Sequence, residues 1–343
     1  MNRKVAIFIW LLVIAILVGG GAYLSFLRGK QQTQHKLYHI GILVRGNGYE
    51  PAIAGFKKQM AVLGYKEGVT IAYDVRFESD KKKLPGIVQE FIRDGVDLIH
   101  TYSTPATEVA FQETKSMTHP IPVVFGSMGD PLVIPTAIKS IEHPGGNVTG
   151  VASLATPLTA KRLEFLKEIN PSIKRVAMPH TALEAGDLSV NKSVDIAKES
   201  AQKLGIELIL YPVKDQADNA VVAKKILHAN VDGVIVGGDS LVWGSIDLYI
   251  QQAIQEKIPF SVFSVTQVQQ GGLLGIGPDY AVSGRQSADI ANKILRGGNP
   301  GDIPIQVPEK LTFAINKDTA KKIGMVLTPA FLKKADMIIE EGK

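Results

Sequence analysis

From His39 onward, short runs of apolar and β-branched residues alternate with amphipathic stretches, the rhythm of βα units laid on a parallel sheet. The pattern predicts strands over 39–44, 69–77, 97–102, 122–125 and 147–151, then a second set over 175–178, 206–213, 232–236, 260–263 and 272–276. Helices are expected over 51–63, 84–93, 105–114, 159–169, 189–204, 219–229, 245–256 and 281–295, with Pro51 and Pro105 suited to a first helical turn. The strands read as nearly continuous apolar runs, so each sheet should be buried on both faces.

The second set echoes the first. Leu63-Gly64 closes a helix, and Val96-Asp97-Leu98-Ile99 follows after a strand and a helix. Leu204-Gly205 and Val231-Asp232-Gly233-Val234-Ile235 stand in the same relation, the two intervals being 33 and 27 residues. Two similar α/β lobes in tandem account for this better than a short-period solenoid; chance likeness between βα units is the plainer alternative. Open parallel sheets bind ligands beyond the carboxyl ends of their strands. Two such lobes facing each other would set those loops on either side of one cleft.

Ahead of this body, behind Met1-Asn2-Arg3-Lys4, residues 5–27 form an uncharged, largely apolar run of 23 residues. As a helix it would be about 35 Å long, enough to cross a hydrocarbon layer of roughly 30 Å. It reads either as a secretory signal peptide cleaved after Ala22 or as an uncleaved anchor bounded by Arg28 and Lys30. Basic residues flank both ends and orient it poorly. The expectation is export with a membrane anchor, residues 1–36 serving as membrane segment and tether.

Composition narrows the function. The 343 residues are 45% hydrophobic and 21% charged, an ordinary globular balance with room for two domains. The formal charge of +5 comes entirely from the leader, where Arg3, Lys4, Arg28, Lys30 and Lys36 have no acidic counterpart. Removing those five leaves 33 basic against 33 acidic residues. A nucleic-acid partner, which requires a basic surplus, is therefore not expected. The absence of cysteine rules out thiolate catalysis, Cys-ligated metals, disulfides and a lipidated N-terminal cysteine.

Catalytic signatures are missing too. There is no P-loop and no His-Glu-x-x-His, and Gly238-Asp239-Ser240-Leu241-Val242 lacks the closing glycine of a nucleophile elbow. Histidines at 35, 39, 100, 119, 143, 180 and 228 have no metal-ligand spacing. The glycines of 271–277 lack the order of a dinucleotide fingerprint. No enzyme activity, metal or cofactor is expected.

Val124-Phe125-Gly126-Ser127-Met128-Gly129-Asp130-Pro131 and His143-Pro144-Gly145-Gly146-Asn147-Val148-Thr149-Gly150-Val151 resemble a family of ABC-transporter substrate-binding proteins whose better-known members are associated with tryptophan and tyrosine uptake. Gly55-Phe56 before Leu63-Gly64-Tyr65, Thr104-Pro105-Ala106, Gly284-Arg285-Gln286-Ser287-Ala288, and Asn316 with Ala320, Ile323 and Gly324 extend the resemblance over most of 38–328. It implies the type I periplasmic-binding fold: two doubly wound parallel-sheet lobes, three crossovers and a hinge closing over ligand. It also implies a first lobe of 38–152 with 277–307 and a second of 153–276 with 308–343. The chain departs from the family at 179–185, where many members carry a Tyr-Asn-Pro-like loop and an Asn-Ser pair, and in lacking the lipobox cysteine.

Candidate ligand contacts follow from the strand ends. Ser103 and Thr104 precede a Pro-started helix and suit a carboxylate, or simply cap the helix. Gly126 and Ser127 offer backbone to a ligand or make a tight turn. Asp130 before Pro131 is an amine ligand or, more readily, turn punctuation. Asp239, with Ser240, is the best candidate for a ligand ammonium, since a buried carboxylate needs a partner. Tyr49, Trp243 and Phe263 are stacking surfaces or core, and His180 and Thr181, in the divergent segment, would tune specificity. Gly145-Gly146-Asn147 reads as hinge and turn.

The expectation is an extracytoplasmic solute-binding protein, in the periplasm or on the outer face of the cytoplasmic membrane. It would capture an amino acid or similar zwitterion, possibly an aromatic one, and hand it to an ABC permease and its ATPase. A monomer is expected. The alternative is a membrane-anchored sensing module that signals through another chain.

Overall fold

A computed structural model describes residues 36–227 and 230–340. Contacts divide the chain into Met1–Leu37 and Tyr38–Lys343, and the second unit carries the architecture that follows. The expected signal or anchor segment, and His228, lie outside the described residues. Among the described residues no helix is long and apolar enough to cross a membrane.

In chain order the first lobe contains β1 (Tyr38–Val44), α1 (Glu50–Val62), β2 (Ile71–Phe77), α2 (Leu84–Arg93), β3 (Leu98–Tyr102), α3 (Thr104–Thr114), β4 (Val123–Met128) and β5 (Val148–Ala152). The chain then enters α4 (Thr159–Ile169), β6 (Arg175–Thr181), α5 (Leu188–Leu204), β7 (Glu207–Val213), α6 (Asp218–Leu227), β8 (Gly233–Ile235), α7 (Ser240–Trp243), α8 (Ile246–Gln255), β9 (Phe260–Val262), α9 (Val265–Gln269) and β10 (Leu274–Pro278). After α10 (Tyr280–Leu295) come β11 (Leu311–Asn316), α11 (Lys317–Lys322), α12 (Pro329–Leu332) and β12 (Met337–Ile339).

The strands form two sheets, β2-β1-β3-β4-β5 and β12-β11-β10-β9-β8-β6-β7. All pairings in the first are parallel. In the second, the pairings are parallel as well except that β10 and β11 run antiparallel, so the two expected parallel-sheet lobes are present. Strands β3 and β4 are buried along their whole length, as continuous apolar runs require. Helix α5 is capped at both ends: Asp187 accepts from Val190 N at its start, and Gly205 ends it at φ 65°.

Two differences from the sequence reading bear on function. Strand β4 runs to Met128 and β6 to Thr181, so His180 and Thr181 are strand residues rather than loop. Pro179 is tolerated because β6 pairs with β8 only at Val176 and Ala177, and beyond that ladder its missing N–H forfeits no bond on that side. Helix α10 leaves the second sheet at β10 yet packs against α1 of the first lobe, its Asp289 accepting from Gln59 Nε2 at 2.9 Å. One apolar cluster runs from Ile40, Phe56 and Tyr102 through Tyr49 and Trp243 to Val234 and Phe263, so the cores of the two lobes are continuous.

Candidate functional site

The carboxyl ends of β1, β3 and β4 meet those of β6, β8 and β9 around a small cavity. The loop after β1 brings Tyr49, and Ser103 and Thr104 follow β3. Ser127 is the penultimate residue of β4, Ser153 follows β5, Asp187 precedes α5, Gly238 and Ser240 follow β8, Phe263 follows β9 and Tyr280 opens α10. The centre of a water-sized sphere can move through about 10 Å³ of it, room for roughly one water. Outside lies a groove of about 710 Å³ bordered by Arg45, Lys81, Lys82, Lys214 and Gln216.

Arg45 and Asp187 stand between groove and cavity. Arg45 Nη1 is 3.2 Å from Asp187 Oδ2 and donates to Ser240 Oγ at 3.2 Å. Both partners are almost wholly buried, and one belongs to each lobe. Three more bonds cross the same seam: Thr104 Oγ1 with Ser189 Oγ at 2.7 Å, Lys81 Nζ to Gly186 O at 2.9 Å and Lys192 Nζ to Asp130 Oδ2 at 2.5 Å. Gly48, at φ 92°, permits this approach, since a Cβ there would lie 2.3 Å from the Trp243 ring.

Of the expected contacts, Tyr49, Ser103, Thr104, Ser127, Ser240 and Phe263 line the cavity. Ser103 Oγ accepts from Ala106 N at 3.3 Å, the capping role, and Thr104 Oγ1 is paired with Ser189 Oγ. Ser103 holds φ 95°, a strained conformation of the kind found where a site imposes it.

The other candidates are not among the lining residues. Gly126 makes room for rings rather than ligand, because a Cβ would lie 2.6 Å from Tyr102 and 2.7 Å from His100. Asp130 caps Leu132 N at 2.9 Å and pairs with Lys192. His180 is buried with Nδ1 on Thr181 O at 2.8 Å. Asp239, the leading ammonium candidate, is committed to structure. Its Oδ2 accepts from Thr181 N at 2.5 Å, and its Oδ1 accepts from Thr181 Oγ1, Leu241 N and Val242 N at 2.8, 3.0 and 3.2 Å. Trp243 stands behind the wall, its ring centroid 4.7 Å from that of Tyr49 and 5.1 Å from those of Phe263 and Tyr280.

Arg45, Asp187 and Tyr280 were missed from sequence. A charged residue directly after an apolar strand was a usable signal for Arg45. Asp187 and Tyr280 sit at helix starts, where a cap reading suffices.

Burial dominates the electrostatics. It pushes the Asp187 carboxyl up to about 6, against the opposing pull of Arg45. Burial also raises the phenols of Tyr49 and Tyr280, while Ser127 lowers both. His100, behind the wall, bonds Ser287 Oγ at 2.9 Å through Nε2, and burial pushes its imidazole from 6.5 down to about 3. The folded protein thus keeps this ring neutral where the unfolded chain takes up a proton. Stability is lost as the pH falls from about 6.5 toward 3, at roughly 1.4 kcal/mol per unit. Urea titrations should show about 2 kcal/mol less attributable stability at pH 5 than at pH 7, and His100→Gln should narrow that difference. An identical pH dependence in the variant would exonerate the ring.

Four likenesses bear on this site. The model of a family described as ABC transporter substrate binding protein matches residues 39–339. A tyrosine-binding protein of Clostridioides difficile is 29% identical over 300 residues, 86% of this chain and 84% of its own. A Streptococcus pneumonia domain in complex with L-Trp superposes with a TM-score of 0.79 at 23% identity, over 89% of this chain and 100% of that one. The ligand-free, open structure of a substrate-binding protein with adhesive properties from Clostridium difficile gives 0.60 at 25% identity, over 88% and 99%.

Proposed function

The chain belongs to the ABC transporter substrate binding protein family, and on that premise we propose that it captures an aromatic amino acid or similar small zwitterion and delivers it to a membrane permease. As a substrate-binding protein of an ABC importer it works outside the cytoplasm. The observation that carries the ligand reading is a cavity shared by both lobes, with Tyr49, Phe263 and Tyr280 in its wall and the buried Asp187 beside them. Aromatic rings supply stacking surface, and a buried acid suits an ammonium. The tyrosine-binding relative and the tryptophan-bound neighbour support the same class.

An aromatic amino acid does not fit a space that holds one water. Entry therefore requires the lobes to part along the seam of Arg45, Asp187 and Thr104, and binding shifts the open–closed balance by its preference for the closed form. We take the hinge to be the crossovers near 152/153, 276/277 and 307/308. In this reading the apolar run 5–27 holds the protein at the membrane or directs its export.

Thermal unfolding of the purified protein against amino acids, purines, sugars and oligopeptides tests the reading. A ligand at 100-fold its Kd adds about 2.7 kcal/mol, a clear rise in midpoint. Tyrosine or tryptophan should produce it. A rise with sugars or purines and none with amino acids would overturn the ligand class.

A further inference from the structure

Arg162, on α4, is the largest wholly buried side chain among the described residues. Its Nη1 donates to Ala155 O at 2.8 Å and to Thr159 Oγ1 at 3.2 Å. Its Nε and Nη2 are buried without a partner among the described residues. These two N–H groups form one edge of the guanidinium, the side-on fork whose spacing matches the two oxygens of a carboxylate. No carboxylate pairs with Arg162 among the described residues.

Arg162 is not itself a lining residue, but its neighbours form the cavity wall. Ala155, whose carbonyl it binds, lines the cavity, as do Phe263, with a ring centroid 5.8 Å from Arg162 Cζ, and Tyr280, which interacts with it electrostatically. Burial lowers its affinity for the proton, to a pKa of about 9, yet a guanidinium stays charged at neutral pH. A buried, uncompensated charge is among the costliest features a fold can hold, and it persists where a ligand completes it. Of the hydroxyls expected to receive a carboxylate, that of Thr104 is paired with Ser189 across the seam and that of Ser103 accepts from Ala106 N, whereas the Nε and Nη2 donors of Arg162 make no bond among the described residues.

We propose that Arg162 anchors the carboxylate of the ligand, which commits the site to acids and amino acids and against uncharged polyols. The inference rests on the amino-acid reading above and names the residue behind it. The test compares L-tyrosine with tyramine, which lacks only the carboxylate, on wild type, Arg162→Met and Arg162→Lys by calorimetry. Wild type should prefer tyrosine on the order of 100-fold, Arg162→Met should bind both alike, and Arg162→Lys should fall between them. An unchanged preference in Arg162→Met would overturn the anchor and leave the amino-acid reading standing.

If wild type binds neither probe, the amino-acid reading fails and the anion site is decided separately. Sodium benzoate should then raise the unfolding midpoint of wild type, relative to sodium chloride at equal ionic strength, and leave Arg162→Met unmoved. Equal responses in the two proteins would overturn the site.

Discussion

Replacing Asp187 by asparagine should weaken ligand binding about 100-fold while leaving the unfolding midpoint of the ligand-free protein nearly unchanged. Asparagine caps a helix as well as aspartate does, so the bond from Val190 N at the start of α5 survives. What disappears is the charge opposite Arg45, whose guanidinium is sealed between the lobes beside Ser240. Breaking a buried pair by removing one charge costs about 3 kcal/mol or more, and 1.4 kcal/mol is tenfold in affinity. That cost falls on the closed form, because parting the lobes returns Arg45 to water. Calorimetry gives the Kd and small-angle scattering the degree of closure. The same loss for tyrosine and for its deaminated analogue would identify a latch, and a loss confined to tyrosine would identify an ammonium contact. An unaltered Kd for both would remove Asp187 from closure and from binding.

The other large effect is on stability. Gly284→Val should cost about 3 kcal/mol or more in urea unfolding. A Cβ at Gly284 would lie 2.0 Å from Ala52 O, and one at Gly55 would lie 2.2 Å from Ala281 O, so α1 and α10 cross with their backbones in contact. No side-chain rearrangement relieves a clash with backbone, and the helices must separate. This crossing joins the chain returning from the second sheet to the first lobe, so the damage extends beyond one helix. Gly86, inside α2, has nothing within 4 Å of its Cβ position, and Gly86→Ala should stabilise by about 0.5–1 kcal/mol. Equal tolerance of both substitutions would refute the close crossing.

Much of the framework was legible. Helices 84–93 and 159–169 match the observed bounds, and ten strands were located to within a few residues. Strands β11 and β12 were not, for reasons particular to each. Strand β12 is a three-residue, largely exposed edge without enough residues to express a period. Strand β11 follows a Pro-containing stretch and runs antiparallel beside β10, outside the βα rhythm that revealed the rest. That the strand-end hydroxyls and the aromatic residues Tyr49 and Phe263 line the cavity was legible because position beyond a parallel strand is a local property of the chain.

The two aspartates show where local reading stops. Asp187 and Asp239 each directly precede a helix and cap it, and in sequence they are equivalent. Asp239 is enclosed by the backbone and hydroxyl of Thr181, 58 residues away, while Asp187 faces Arg45, 142 residues away. Arg162 has the same character: on its helix it is one more basic residue, and only packing against Ala155, Phe263 and Tyr280 makes it a buried charge with two free donors. The sequence by itself determined the alternation of strand and helix, the neutral body and the absence of thiol chemistry, because periodicity and composition are properties of neighbouring residues. Tertiary structure alone decided which acid borders the cavity, which hydroxyl is paired across the seam and which cation lacks an anion, because burial and partnership arise between residues that are distant in the chain.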